Sequence, residues 1–306
     1  MTKKVAVVGA SGMLGSMVVE YLAKQPGYQV TAVVRDSKFA DWASKKLPEV
    51  RFALGGINDV TGDIDFNSVK GSEWVVNAIG ITKPLIKDDN FEQIERAVAV
   101  NVVFPHRLAR LAAENGAKVI QIATDCVYSG AKGDYTEVDL HDCTDVYGKT
   151  KSLGECYMTN VHHLRCSIIG PELKDRKFLL EWFLKQPQNS SVNGFSNHSW
   201  NGVTTLHFAK LCKGIVESSL NLSHLQHVIP SGSVTKAEML ESFAKCYGRS
   251  DILVKTMEAP MVLARTLRTK NEETNKSLWS AAGYTTPPTV PQMIEELSKF
   301  AMTLRS

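Results

Sequence analysis

The chain has 306 residues, 43% of them hydrophobic, enough for one large α/β domain or one domain with a smaller lobe. A formal net charge of +3 without any Lys/Arg block argues against a nucleic-acid partner, and no apolar run approaches the length of a membrane span. Six cysteines with no C-x-x-C pair and no metal spacing read as free thiols in a reducing compartment; with no signal peptide in view, the expected location is the cytoplasm.

Val5, Ala6, Val7 and Val8 form an apolar run that ends at Gly9, and Gly12 and Gly15 follow. A continuous run of this kind predicts a buried parallel strand. The glycines fall where such a strand must turn sharply into a helix and let a pyrophosphate approach the backbone. The free N–H groups and positive dipole end of that helix would hold the phosphates. Gly9, Ser11, Gly12, Met13 and Leu14 are therefore candidate cofactor contacts. Leu14, Val18, Val19 and Leu22 give the next segment a helical face, which stops at Pro26-Gly27. Residues 29–34 predict a second strand ending in Arg35-Asp36. An acid at this strand end binds a ribose hydroxyl, whereas an arginine accommodates the NADP 2′-phosphate; Arg35 comes first, which favours NADP.

Strands are predicted over 50–54 and 74–79, the latter running out at Ala78, Ile79 and Gly80. A helical region over 91–115 contains Pro105, so a kink or break is expected there, with Gly116 as its cap. Further strands are expected over 119–123 and 163–169, with a helix from Tyr147 to about Asn160 between them. Strands alternating with helices mean a parallel, doubly wound α/β sheet. From Glu172 the alternation fails. Helices are expected over 178–184, 206–218, 235–247 and 291–304, and a short strand over 227–229. The Asn-, Ser- and Gly-rich stretch 188–202 reads as a loop. The expected division is a cofactor-binding domain over 1–170 and a smaller substrate lobe over 171–306, interleaved with the last elements of the sheet.

Tyr147 and Lys151 stand at i and i+4, one turn apart on a helix face. A nearby ammonium favours the phenolate, so the tyrosine pKa is expected to fall toward neutrality and suit general acid–base work. Thr124 stands at the carboxyl end of the fifth strand, where open α/β sheets bind ligands. Cys126, two residues on, should line the same site. Trp200 could stack on a nucleotide base or simply pack. His162, His163 and His198 have no partner at metal-ligand spacing, and no metal is expected.

Seven motifs in order resemble an extended short-chain dehydrogenase/reductase with a Rossmann domain, and within it the dTDP-4-dehydrorhamnose reductase-like, sugar-nucleotide-binding group. They are G-A-S-G-M-L-G (9–15), N-A-I-G (77–80), A-V-N (99–101), A-T-D-C-V-Y-S-G (123–130), Y-T-E (135–137), Y-G-K-T-K-S-L-G-E (147–155) and L-R-C-S-I-I-G (164–170). The C-terminal segment N-G-V-T-T-L-H-F-A (201–209) is similar to the part that closes over substrate in this group. The resemblance implies NADPH-dependent reduction of a 4-keto sugar carried on a nucleotide. It implies that Tyr147 protonates the keto oxygen, Thr124 binds that oxygen, and Lys151 holds the nicotinamide ribose. Cofactor contacts would include Ala78, Ile79 and Gly80, and Asn101 would brace the site. The partner implied is a nucleotide-sugar substrate, and a homodimer is left open.

Three departures stand out. Gly56-Ile57 replaces the usual Asp–apolar pair near the adenine, and Cys143-Thr144-Asp145 stands where a proline usually precedes the tyrosine. Cys126 stands where related dehydratases carry glutamate, which argues against loss of water. An epimerase of the same superfamily stays open. So does a non-catalytic NADP-binding subunit, since some relatives regulate methionine adenosyltransferase.

Overall fold

The computed structural model describes residues 2–63, 65–218, 220 and 222–305. Strands β1 (Lys3–Val8), β2 (Tyr28–Val34), β3 (Arg51–Leu54), β4 (Trp74–Asn77), β5 (Lys118–Ala123) and β6 (Val161–Arg165) join Leu225–His227 in one seven-stranded parallel sheet. Its order is Leu225–His227, β6, β5, β4, β1, β2, β3. This is the doubly wound arrangement expected. The order reverses at β1, between β4 and β2, which opens a ligand crevice beyond the carboxyl ends of β1 and β4.

Both faces of the sheet are covered. Val5 and Val7 point into one core with Leu14, Met17 and Val18 of helix α1 (Met13–Ala23) and with Phe208 and Leu211 of helix Thr205–Ser218. Ala6 and Val8 point into the other core with Ala97 of helix α3 (Phe91–Val98) and Phe104 and Leu108 of helix α4 (Phe104–Glu114). The two-residue period of β1 thus feeds two cores, so an unbroken apolar run is needed there. Helix α2 (Ser37–Lys46) follows β2, and helix α5 (Val146–Leu153) precedes β6. Among the described residues no helix is long and apolar enough to cross a membrane.

The structure differs from the sequence expectation in several places. The region 91–115 is broken, as Pro105 suggested, but by a five-residue π-helical segment, Ala99–Val103. Pro105 has no N–H to give to the Asn101 carbonyl four residues back, and the helix widens there. The helix at Tyr147 ends at Leu153, well short of Asn160. Gly154 follows, packed so closely that a Cβ on it would lie 1.9 Å from the Asn101 carbonyl oxygen. The stretch 188–202 is not a loop: it contains strands Ser191–Phe195 and His198–Trp200. Their partners, Leu253–Met257, Val234–Thr235 and Leu263–Ala264, lie far along the chain, so no local pattern announces the pairing. The expected strand 163–169 is β6 plus a separate pair, Ile168–Ile169 with Val203–Thr204. Helices α2 and Glu272–Ala281 add to the elements expected from the sequence.

Candidate functional site

The turn after β1 is built by its glycines. Gly9 has φ +79°, which favours glycine, and its carbonyl accepts from Gly12 N at 3.0 Å. A Cβ on Gly15 would lie 2.2 Å from the Gly9 carbonyl oxygen, so α1 can start this close to the strand only with glycine there. Gly12 is the N-cap of α1; it supplies no side-chain cap, and the first turn holds no acid. The free amides of an eleven-residue helix therefore face the crevice, a cradle that fits a pyrophosphate. Ser11 and Met13 are half-buried beside it, while the Leu14 side chain belongs to the core. A Cβ on Gly9 would meet Ile79 Cγ1 at 2.8 Å and the Ala78 carbonyl carbon at 3.1 Å. The turn after β4, with Ala78, Ile79 and exposed Gly80, is thus the opposite wall. Asn77 holds that wall: its Oδ1 accepts from Ile79 N at 3.0 Å, and its Nδ2 donates to Gln121 Oε1 at 2.6 Å.

At the end of β2, Asp36 is committed to capping α2, accepting from Lys38 N at 3.0 Å and Phe39 N at 3.2 Å. Those amides hold its carboxyl below the usual range, helped by Lys174. Arg35 is exposed and lines a groove of about 490 Å³ together with Gly55, Gly56, Ile57, Asn58 and the acids Asp63 and Asp65. Gly56, at φ +132°, leaves room for it: a Cβ there would lie 3.1 Å from Arg35 Cγ.

Thr124, Tyr147 and Lys151 converge at the end of β5. Thr124 follows the strand directly, is 8% exposed, and its Oγ1 accepts from Cys126 N at 3.1 Å. Tyr147 lies in the first turn of α5 with its hydroxyl beside that of Thr124. Two contacts bring it there. Asp145 caps α5 by accepting from Gly148 N at 2.7 Å, and a Cβ on Gly148 would lie 2.5 Å from the Cys126 carbonyl oxygen. Lys151, a turn further, donates from Nζ to the Ile122 carbonyl at 3.2 Å.

The expected lowering of the tyrosine pKa does not occur. Burial, with Cys126 beside it, pushes the Tyr147 hydroxyl up, outweighing the Thr124 hydrogen bond. The lysine is the group that moves toward neutrality: burial takes Lys151 down to about 8. The ammonium expected to favour the phenolate is turned to a β5 carbonyl instead. Cys126 lies half-buried in the turn after Thr124, and burial raises its thiol to about 12, so it is a neutral wall of the site.

Asn101 is 3% exposed in the π-helical segment. Its Oδ1 accepts from Ile81 N at 2.9 Å, and its Nδ2 donates to the Ile81 carbonyl at 3.0 Å and to Thr150 Oγ1 at 3.2 Å. It ties the crevice wall to α5 between Tyr147 and Lys151. Trp200 is 6% exposed, its ring against Gly202 and under the Lys236 ammonium at 5.7 Å. A ring covered in this way is packing, and base stacking by Trp200 does not fit. His163 is buried on Cys156, and His198 bonds the Met261 carbonyl at 2.9 Å. Among the described residues no cluster could hold a metal ion.

Two cations that no motif announces flank Cys126. Arg265 donates to the Tyr128 carbonyl at 2.9 Å and reaches Cys126 Sγ at 3.8 Å, and Lys236 interacts electrostatically with Asp125 and Cys126. Both come from the C-terminal half, with no motif around them. Behind the site, buried Arg165 pairs with Glu155 at 2.5 Å and donates to Tyr128 Oη at 2.7 Å. Three of the motifs noted in the sequence, around residues 128, 155 and 165, thus meet in one network.

A parallel sheet with a glycine turn at its switch point, and a Thr–Tyr–Lys set one strand away, places the chain in the short-chain dehydrogenase/reductase class. More narrowly, the RmlD substrate binding domain family matches residues 3–299, and the chain belongs to that family. A dTDP-4-dehydrorhamnose reductase of Mycolicibacterium smegmatis is 29% identical over 158 residues, which is 51% of this chain and 41% of that relative. Among solved structures, a dTDP-4-dehydrorhamnose reductase from Bacillus anthracis in complex with NADP has TM-score 0.67 and 16% identity, covering 97% of this chain and 99% of that one. A UDP-glucuronic acid 4-epimerase from Bacillus cereus, in complex with UDP-glucuronic acid and NAD, has TM-score 0.71 and 15% identity over the same shares. At these identities the structures speak for the fold.

Proposed function

We propose that this chain is an NADPH-dependent reductase of a 4-keto group on a nucleotide-activated deoxysugar. The observation that carries the reading is the convergence of Thr124, Tyr147 and Lys151 at the carboxyl end of β5, beside the glycine-turn crevice. Membership of the RmlD family and the reductase relative point the same way. NADPH, when bound, supplies the hydride. The Gly9–Gly15 turn would hold its pyrophosphate, Ala78 and Ile79 its middle, and Arg35 its 2′-phosphate. Asp36 is spent as a helix cap, so it does not compete for a ribose hydroxyl as it would in an NAD site.

Thr124 and Tyr147 would take the substrate's keto oxygen between their hydroxyls. Tyr147, protonated at neutral pH, is the proton donor to that oxygen. Lys151, swinging from the Ile122 carbonyl, would stabilise the phenolate left behind and hold the ribose. Cys126, neutral and without a carboxylate, gives no acid for dehydration.

The test is NADPH oxidation against a panel of 4-keto sugar nucleotides. Turnover supports the reading. Binding of NADPH with no turnover would replace it with the regulatory-subunit reading, and interconversion of sugar epimers without net NADPH loss with the epimerase one.

A further inference from the structure

The loop that follows β3 carries Asp59 to a position between two arginines from different elements. Arg35 follows β2 and donates from Nη1 to Asp59 Oδ1 at 2.7 Å. Arg96, in the last turn of α3, donates to Asp59 Oδ2 from Nη2 at 2.7 Å and from Nε at 3.2 Å. Each oxygen of one carboxylate is held by a different guanidinium. Burial disfavours the Asp59 charge, but these hydrogen bonds outweigh it and hold the carboxyl below its usual range. The arginines stay largely open to solvent, with side chains 62% and 50% exposed, while Asp59 is 26% exposed.

An ion pair could exist only to pin the loop to the helices. That task already has another anchor. Arg107 of α4 donates to the Thr61 carbonyl at 2.7 Å and pairs with Asp63. The Asp59 contacts instead spend two arginines on one acid, beside the groove that Arg35 lines with Asn58, Asp63 and Asp65. Two guanidiniums that converge on a pair of oxygens form an anion clamp, and the fork of arginine matches phosphate as well as carboxylate.

Building on the NADPH reading, we propose that Arg35 and Arg96 form a two-armed clamp for the cofactor's 2′-phosphate, with Asp59 as its internal placeholder. In the cofactor-free protein the Asp59 carboxylate fills the clamp. A phosphate monoester, carrying more charge and three free oxygens, takes both arginines, and Asp59 is displaced into solvent. Asp59 therefore sets how tightly the phosphate is held. A cofactor without the phosphate leaves the Arg–Asp–Arg bridge intact and gains nothing from Arg96. Discrimination between NADPH and NADH then belongs to a helix-borne arginine that no β2-end motif reveals.

The experiment titrates wild type, Arg35→Gln, Arg96→Gln, Arg96→Lys and Asp59→Asn with NADPH and NADH by fluorescence. Calorimetry with 2′,5′-ADP and AMP gives a readout without the nicotinamide. Arg96→Gln should weaken NADPH and 2′,5′-ADP about tenfold, as expected for one charge-assisted contact, and leave NADH and AMP within about twofold. Arg96→Lys, which keeps the charge and loses the fork, should fall between. Asp59→Asn should tighten 2′,5′-ADP severalfold. If Arg96→Gln lowers thermal stability but leaves the NADPH/NADH ratio unchanged, or Asp59→Asn weakens the phosphate ligands, the bridge only pins the loop and the proposal falls. If wild type binds both cofactors equally and Arg35→Gln changes nothing, the NADPH reading fails with it.

Discussion

The side chain of Asn101 holds Ile81 by both of its backbone groups, accepting from the N–H at 2.9 Å and donating to the carbonyl at 3.0 Å. One amide thus does for the loop after β4 what a neighbouring strand would do. Its remaining donor reaches Thr150, whose hydroxyl in turn donates to the Tyr147 carbonyl at 3.0 Å. Asn101→Ala leaves the buried Ile81 groups without partners, so a loss of about 1–3 kcal/mol is expected. Urea denaturation measures it. Turnover should fall further than that stability loss explains, because α5 loses its reference point; unchanged kcat in the folded variant would disprove the bracing role.

Tyr147→Phe removes one oxygen and no bulk. NADPH affinity should hardly change, while turnover of a 4-keto sugar nucleotide falls by about 10²–10⁴. Thr124→Ala should cost less, since it deletes a hydrogen bond and leaves the proton source. Lys151→Met should harm turnover and NADPH binding together. Stopped-flow NADPH oxidation, alongside fluorescence titration, separates the three; full activity in Tyr147→Phe would exclude it as the acid.

Lys151 has a folded-state pKa of about 8, below its ordinary 10.5, because burial disfavours the ammonium. Between those values the unfolded chain binds more protons than the folded one, so stability rises with pH through that window. Below about pH 8 the buried charge is a standing cost. Lys151→Met should therefore stabilise the cofactor-free protein at pH 7, on the order of 1–2 kcal/mol after allowing for partial exposure and a lost hydrogen bond. The advantage should vanish toward pH 10.5. Paired denaturation curves at pH 7 and 10 test it; a pH-independent difference would refute the assignment.

Arg165 is fully buried, and Glu155 supplies its charge partner. Glu155→Gln keeps the shape and removes the countercharge, so a destabilisation of about 3–5 kcal/mol is expected. Glu155→Gln combined with Arg165→Met should recover part of it. A thermal melt within a degree of wild type for Glu155→Gln would mean that Tyr128, His227 and His141, whose Nε2 lies 2.9 Å from Arg165 Nη2, suffice to hold the guanidinium.

Legibility in the sequence followed distance along the chain. Gly9, Gly12 and Gly15, and the Tyr147–Lys151 pair, lie a few residues apart, so spacing alone located the turn and α5. Thr124 stood out because it ends an apolar strand. Asn101 carried no local signal, and only family resemblance singled it out. Arg96, Lys236 and Arg265 were missed because each acquires its partner through the fold. The pKa order of Tyr147 and Lys151 was misread for a related reason. Helical spacing puts the two on one face, but the Ile122 carbonyl, on another element, decides where the ammonium points. The same holds for Trp200, whose burial depends on Gly202 and on strand Val234–Thr235.

The strand Leu225–His227 lies beside β6, although more than fifty residues of other structure intervene between them. Until it docks, β6 offers an open row of amides and carbonyls, and Arg165 lacks its His227 contact at 3.0 Å. A fragment cut at residue 170 would keep every motif of the cofactor crevice and still present that sticky flank to any passing chain. Such fragments should self-associate through strand exchange, and trimming the sequence where its motifs end should not yield the crevice as a separate module.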